Sequence, residues 1–503
     1  YTNAIRVYLS CAIDRCADAW STIATWATSG FIRFTFARQA IAMTWDFAKC
    51  NVFSSSTGNF GGAVDWVVKA LSELPAAGTG SVKQADARFA ALPNSSCLST
   101  DPPYYDNIGY ADLSDYFYVW QKRTLHDLFT EVFNRRLTNK QDEAVANPAR
   151  DGSPKRAGEV YESLMGEIFL ECRRVLKNDG IMTIMFTHKS QNAWEALTRS
   201  IIDSGFEITA CMPVESESKV DIHHKDMAAA ASSIFLTCRK RLDRDGRMPS
   251  IWSGFGSTGV LQQIREAVRE GLKEFEVLKL NPVDEMVASY GRALRVLSEN
   301  WPVMDGDEQV SPTQAMTEAS AVVAQFQIRR LTQGRLSVED LNAEAAMALT
   351  LFGIYGMNEI AYSDALNLSK SLNIRLEHKP AGYQVQDRMI GINDERGAAR
   401  SGRNEGRTGY FAPLVKKGSK LRLAHADERA PERLLNPQTE WDILQGVLMA
   451  YEEGQEPVAR AYMQKHAANK EAVILDLLNV WANKCGDEFM QRKAERILFG
   501  FKR

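Results

Sequence analysis

Residues 97–107 read Cys-Leu-Ser-Thr-Asp-Pro-Pro-Tyr-Tyr-Asp-Asn, and they are the most informative stretch of the chain. Residues 97–100 have the composition of a short strand, and a rigid turn follows the strand at once. The two prolines fix φ near about −65° and carry no N–H group, so the carbonyl oxygens of the turn are held outward. Because ligands bind where the strands of an open α/β sheet end, the stretch predicts an α/β fold with a site at Asp101.

The tetrapeptide Asp101, Pro102, Pro103 and Tyr104 suits an exocyclic amino group of a nucleic-acid base. The lone pair of such an amine is delocalised into the ring until the nitrogen becomes tetrahedral. The Asp101 carboxylate and the Pro102 carbonyl can accept both amino hydrogens, and Pro103 keeps the turn rigid. Tyr104 can stack on a base flipped out of the duplex, with Tyr105 packed behind it. Amino-methyltransferases hold their target amine with this pattern, whereas the alternative is an ordinary rigid turn.

Composition excludes several classes of protein. The chain has 503 residues, room for about three domains, and its formal charge of −3 leaves nucleic-acid contacts to local basic patches. No run of about 18 apolar residues occurs, so no membrane span is expected. The eight scattered cysteines include no Cys-x-x-Cys pair, which predicts free thiols in a reducing cytoplasm and no zinc site.

The pattern of apolar residues predicts one sheet near the motif. The expected helices are 159–176 and 193–204, and the expected strands are 81–84, 97–100, 181–186, 206–212 and 233–238. This order is typical of a doubly wound sheet that ends in an antiparallel hairpin. Residues 181–186 are nearly all apolar, as a buried strand requires.

Outside this sheet the chain is expected to be mostly helical. The predicted parts are a helical lead-in (1–75), an α/β part with the motif (76–242), a helical region (243–386), a basic Gly/Arg-rich loop (387–423) and a second helical region (424–503). The basic loop could follow phosphates or be merely solvated. Residues 51–62 lead into a helix, and their glycines could approach an anion or simply form the entry to that helix.

Residues 101–120 closely resemble the large adenine-specific DNA methylases of bacteria and archaea that often accompany defence genes. Other stretches that resemble this group are 36–40, 45–47, 53–58, 146–148 and 231–233. The resemblance implies a class I methyltransferase (Rossmann-like) sheet that uses S-adenosylmethionine on double-stranded DNA. It implies transfer to adenine N6 in restriction-modification or antiviral defence. Asp86 resembles the acidic position that contacts the adenine of the cofactor. Asp101 is the other residue that is expected to contact the cofactor.

Two alternatives stay open. The same motif serves transfer to cytosine N4, although aspartate at its first position favours adenine. A non-catalytic subunit that keeps the fold for DNA binding or assembly is the other alternative.

The chain departs from this group in its cofactor loop. Such enzymes carry a glycine-rich loop after the first strand. Residues 53–58 match the sequence pattern of that loop only weakly. The chain opens on Tyr1 rather than methionine, which suggests the carboxy-terminal half of such an enzyme. The sheet is therefore expected to be incomplete, with the motif strand at an exposed edge. An upstream segment or a partner chain would complete it.

Overall fold

The fold is α/β, with 54% helix and mixed sheets. A computed structural model describes residues 1–27, 30–36, 41, 43–74, 80–90, 93–106, 108–188, 190–215, 232–242, 248–254, 259–378, 383–386, 388–395, 409–467, 469–484 and 488–501. The chain divides into two compact units. The first unit contains Tyr1–Leu92 and Pro103–Glu171, and the second contains Pro93–Pro102 and Cys172–Arg503. Among the described residues, no helix has both the length and the apolar character needed to span a bilayer.

The secondary structure follows much of the sequence pattern. The helices are α1 Thr2–Trp20, α2 Phe60–Glu73, α3 Tyr110–Leu125, α4 Pro148–Asp151, α5 Pro154–Val175, α6 Gln191–Asp203, α7 Val260–Leu278, α8 Pro282–Glu299, α9 Pro312–Leu331, α10 Ala343–Tyr355, α11 Tyr362–Ser371, α12 Pro431–Leu435, α13 Glu440–His466, α14 Glu471–Lys484 and α15 Glu488–Phe501. The strands are β1 Thr25–Trp26, β2 Ile32–Arg33, β3 Ser95–Thr100, β4 Leu176–Phe186, β5 Phe206–Glu215, β6 Ser232–Lys240, β7 Ser250–Ile251, β8 Val303–Asp305, β9 Glu308–Gln309, β10 Ile360–Ala361, β11 Arg375–His378, β12 Met389–Asp394, β13 Leu414–Lys417 and β14 Lys420–Leu423. The helices expected at 159–176 and 193–204 are confirmed as α5 and α6.

The first unit is built around α1, which packs against α2 and α3. Small residues allow the close approach, since Ala12 and Cys16 of α1 are buried against Ala63 of α2. Arg6 of α1 forms two hydrogen bonds of 2.6 and 2.7 Å with the carboxylate of Asp127, just after α3. Within residues 1–75 the described part thus contains α1 and α2 together with the short strands β1 and β2.

Large aromatic side chains of the first unit are exposed. Trp45 and Phe53 are each 90% accessible, and Trp26, Phe31 and Trp66 are also exposed. We call these five residues the aromatic surface.

The motif strand belongs to a four-stranded sheet of the second unit, in the order β3-β4-β6-β5. β3 is parallel to β4, and β4, β6 and β5 are joined by antiparallel pairs. Alternate β4 residues Met182, Ile184 and Phe186 are fully buried, as are Ile234, Leu236 and Cys238 of β6. The strands expected at 97–100, 181–186, 206–212 and 233–238 are confirmed, together with the antiparallel end of the sheet. Among the described residues β3 lies at an edge of this sheet, and completion of the sheet by a further segment stays a prediction.

The strand expected at residues 81–84 is wrong. Residues 80–86 have no regular secondary structure and are all exposed. Val82 is the single apolar residue of 81–84, so these four residues have no apolar face to bury against a neighbouring strand. Local composition alone was therefore insufficient to make a strand here.

The second unit contains another sheet that the sequence did not predict, in the order β10-β14-β13-β12-β11. β11, β12 and β13 are parallel, and β14 is antiparallel to both β13 and β10. The expectation of a basic loop over 387–423 is therefore wrong for its described part, which forms β12, β13 and β14. The remaining arginines of that loop lie outside the described residues, namely Arg396, Arg400, Arg403 and Arg407.

Four charged side chains are buried together beside this sheet, and we call them the buried ion cluster. They are Glu344 of α10, Arg429, Arg433 of α12 and Asp442 of α13. Asp442 accepts hydrogen bonds from Arg429 at 2.5 Å and from Arg433 at 2.8 Å. Glu344 accepts from Arg433 at 3.4 Å and from the Tyr383 hydroxyl at 2.8 Å. Burial, and then the charge of Asp442, raises the pKa of Glu344 to about 7.

Candidate functional site

The motif begins immediately after the last residue of β3, at the carboxyl edge of the sheet. Thr100 is paired with Ile184 of β4, and the next residue, Asp101, has already left the ladder. The Asp101 side chain is exposed, whereas Pro102 is buried. Within the described residues, neither the Asp101 carboxylate nor the Pro102 carbonyl has a hydrogen-bond partner. These two acceptors are therefore available to a ligand.

The other half of the motif forms a tight turn in the first unit. The N–H of Tyr105 donates to the carbonyl of Pro103 at 2.9 Å, so that half-buried Tyr104 is the middle residue of a three-residue turn. Tyr105 has a φ of +59°, a left-handed conformation that L residues rarely adopt. Such a conformation costs on the order of 1–3 kcal/mol and persists only where the surrounding contacts impose it.

Helix α5 supplies the contacts that hold this turn. Its buried stripe consists of Ala157, Tyr161, Met165 and Phe169, spaced four residues apart on one helical face. The hydroxyl of Tyr161 donates to the carbonyl of Pro103 at 3.0 Å. The ring of Tyr105 meets that of Tyr161 edge to face, with 5.1 Å between the ring centroids. Burial raises the pKa of Tyr161, so the hydroxyl keeps its proton for this bond.

Gly158 leaves room for the Tyr105 ring. A Cβ atom at position 158 would lie 2.7 Å from the Tyr105 hydroxyl oxygen, closer than van der Waals contact permits. Neither Gly158 nor Tyr161 is predicted as a site residue from the sequence. The available signal was the four-residue spacing of the α5 stripe, which predicts that Tyr161 is buried but does not identify its acceptor.

A second segment secures the same turn from the other side. The N–H of Ala146 donates to the carbonyl of Tyr105 at 3.0 Å. Arg150 holds the chain before Ala146, since its guanidinium donates to the carbonyls of Glu143 and Val145 at 2.8 Å each. Asn147 caps α4 through its side chain. Ala146 is thus in direct contact with the motif turn.

Asp86 occupies a different position from the one expected, because no strand precedes it. Its side chain caps the short 3-10 helix Ala87–Phe89 and forms a 2.7 Å ion pair with Arg88. The hydrogen bond from Arg88 lowers the pKa of Asp86. Asp86 lies in the first unit and Asp101 in the second. A role for Asp86 in holding a cofactor stays a prediction, and Arg88 would orient its carboxylate in that role.

The loop at residues 55–59 borders an open pocket of about 240 Å³ in the first unit. Arg15, Trp66 and the amino-terminal end of α2 complete its lining. Asn59 caps α2 by accepting from the N–H of Gly62 at 2.7 Å. A guanidinium group and a helix amino terminus can both bind an anionic group. The loop can therefore form an anion site or simply the entry to α2, and both interpretations stay open.

The described basic residues of segment 387–423 are largely neutralised by nearby carboxylates. Lys420 pairs with Glu359 at 2.7 Å, Arg422 with Glu428 at 2.7 Å and Lys417 with Glu395 at 3.4 Å. Lys416 lies over the ring of Tyr362. Both interpretations of the segment, one that follows phosphates and one that is merely solvated, stay predictions.

In the part of the chain that the structure describes, no three His, Cys, Asp or Glu side chains cluster as metal ligands would. The seven cysteines in that part are free thiols.

No known protein family, curated protein or solved structure matches the chain.

Proposed function

We propose that the chain is the motif-bearing part of a DNA amino-methyltransferase that acts on adenine N6 with S-adenosylmethionine. The observation that carries the proposal is the position of the Asp-Pro-Pro-Tyr motif at the carboxyl end of β3, where no described residue forms a hydrogen bond with the Asp101 carboxylate or the Pro102 carbonyl. The next carbonyl, that of Pro103, is committed to Tyr161 and Tyr105. The Asp101 carboxylate and the Pro102 carbonyl remain as two hydrogen-bond acceptors, one for each hydrogen of an exocyclic amino group.

In this proposal the residues of the chain prepare the amino nitrogen. The Asp101 carboxylate and the Pro102 carbonyl each accept one amino hydrogen, which localises the lone pair on the nitrogen. Tyr104 stacks on the flipped base and Tyr105 supports the turn behind it. Preorganised acceptors of this kind favour the transition state because they need no reorganisation during the reaction. S-adenosylmethionine would supply the methyl group.

The described residues fit S-adenosylmethionine only in part. Asp86 carries a carboxylate already paired with Arg88, and no glycine-rich loop follows a strand of the four-stranded sheet in the described residues. The proposal therefore assigns the methionine end of the cofactor to an upstream segment or a partner chain. Among the described residues β3 lies at the edge of its sheet, and this edge is the place where a further strand can pair.

The chain alone is expected to bind S-adenosylmethionine weakly or not at all. A preceding segment of the natural protein, or a separate chain, should restore binding by pairing with β3. Binding of labelled cofactor measures the first effect, and amide hydrogen exchange of residues 95–100 measures the second. β5, the opposite edge of the sheet, serves as the control whose exchange should not change. Tight cofactor binding by the chain alone would contradict this prediction.

Replacing Tyr104 with Ala is expected to weaken the stacking of the flipped base by about 1–3 kcal/mol, whereas Tyr104→Phe keeps the ring and should be nearly silent. Methylation kinetics, together with the fluorescence of 2-aminopurine placed at the target base, measure both variants. If the Phe variant is as impaired as the Ala variant, the hydroxyl matters and the stacking role is wrong.

A non-catalytic subunit that retains the fold is the second candidate, and the incomplete cofactor site favours it. The two candidates differ in one measurement. A catalytic subunit transfers labelled methyl to DNA once its sheet is completed, whereas a non-catalytic subunit binds DNA without transfer. A product analysis that separates N6-methyladenine from N4-methylcytosine then decides between the two bases.

A further inference from the structure

The direction of the Tyr104 side chain is set by the two residues around it. Because the N–H of Tyr105 returns to the carbonyl of Pro103, Tyr104 is the central residue of a closed turn. The Cα–Cβ bond of a central turn residue can change direction only if one end of the turn moves. The groups that hold Pro103 and Tyr105 therefore also determine where the Tyr104 ring lies.

Tyr161 contacts both ends of this turn. Its hydroxyl donates to the carbonyl of Pro103 at 3.0 Å, and its ring packs edge to face against the ring of Tyr105. The side chain of Tyr161 is fully buried, so water competes little for this hydrogen bond. Ala146 holds only the Tyr105 end, through its N–H.

The hydroxyl of Tyr161 is not explained by packing. The other members of the α5 stripe, Ala157, Met165 and Phe169, are apolar, and a phenylalanine at position 161 would occupy nearly the same volume. A buried hydroxyl is unfavourable unless it forms a hydrogen bond, and the acceptor found here is a carbonyl of the motif. The hydroxyl therefore serves the turn rather than the core of the helix.

We propose that Tyr161 is a positioning residue, which orients Tyr104 against the flipped base by holding the carbonyl of Pro103. This inference rests on the proposed function, in which Tyr104 stacks on the base. Tyr161 itself contacts neither the base nor the cofactor in this role, and it acts through the turn alone. Gly158 contributes by leaving space for the Tyr105 ring, which Tyr161 supports.

The test is Tyr161→Phe in the full-length protein. We expect kcat to fall about fivefold to tenfold, the effect of losing one hydrogen bond. The KM for DNA should stay within about twofold, because phosphate contacts dominate DNA affinity. The 2-aminopurine signal of the flipped target base should change in parallel with kcat. Tyr462→Phe is the matched control, since the Tyr462 hydroxyl also donates to a backbone carbonyl, that of Leu434, far along the chain from the motif.

A second variant keeps the inference testable if Tyr161→Phe does not fold. Gly158→Ala improves the helical propensity of α5 but forces the Tyr105 ring to move. It should therefore lower kcat without lowering the melting temperature. Parent-like kcat in both variants would overturn the positioning role, and so would an equal loss in Tyr462→Phe. Absence of methyl transfer by the parent protein would instead overturn the proposed function, and the role of Tyr161 with it.

Discussion

Replacing Asp101 with Ala is expected to lower the turnover of DNA methylation by at least about 100-fold, in line with the removal of one preorganised transition-state contact. The variant loses one of the two acceptors for the amino hydrogens, while both prolines of the turn remain. The Asp101 side chain is exposed and has no partner among the described residues, so its removal should leave the fold intact. DNA affinity should change little, because phosphate contacts dominate it.

Steady-state kinetics of the protein together with the upstream segment or partner chain that completes its sheet, and a DNA-binding titration, test this prediction. Asp65→Ala, which removes an exposed carboxylate from α2, is the control and should behave like the parent protein. Asp101→Asn keeps one acceptor oxygen and should fall between the parent and the Ala variant. Turnover of Asp101→Ala within about threefold of the parent would exclude Asp101 from the chemistry.

Replacing Asp442 with Ala is expected to lower the free energy of unfolding by about 3–5 kcal/mol, because two buried guanidinium groups would lose their shared counter-ion. The side chains of Asp442 and Arg429 are fully buried, and that of Arg433 is 2% accessible. Water therefore cannot replace the lost carboxylate. Urea unfolding followed by circular dichroism gives the midpoint and the free energy.

The exposed pair between Glu488 and Arg492 provides the control for this second prediction. Both side chains are largely accessible, so Glu488→Ala should change the free energy of unfolding by less than about 1 kcal/mol. Comparable losses in the two variants would mean that the buried ion cluster contributes no more than a surface pair. The prediction would then be wrong.

The sheet around the motif could be predicted because its signals are local. Residues 181–186 form a continuous apolar run, and α5 and α6 each have a strongly amphipathic pattern that ends near the next strand. The strand at residues 81–84 was wrong because its one apolar residue, Val82, is fully exposed. A short segment becomes a strand only when a neighbouring strand accepts its backbone hydrogen bonds.

The second sheet could not be predicted from the same kind of signal. Its strands contain only two to six residues, and β12 and β13 are paired although 19 residues separate them. Pairing over such a distance depends on tertiary contacts that composition does not reveal. The glycine and arginine content of this segment therefore suggested a loop where the described part forms strands.

The residues proposed to contact the target base could be predicted from the sequence, but the residue that holds the motif turn could not. Asp101 and Tyr104 were identified from residue type and order alone. Tyr161 was not identified, because a helical stripe predicts burial without naming the atom that a buried hydroxyl meets. Asp86 was placed at the end of a strand that does not exist, and its pairing with Arg88 follows from the turn that replaces this strand.

The close approach of Gly158 to the Tyr105 ring has a consequence for the variation of this sequence in evolution. An added methyl group at position 158 and the phenol at position 105 compete for the same space, so the two positions should not change independently. Relatives that keep tyrosine at 105 should keep glycine at 158, whereas phenylalanine or a small residue at 105 should tolerate alanine there, because the close contact is with the hydroxyl oxygen. This pair of positions, 53 residues apart in the chain, is thus a covariation signature by which distant homologues can be recognised.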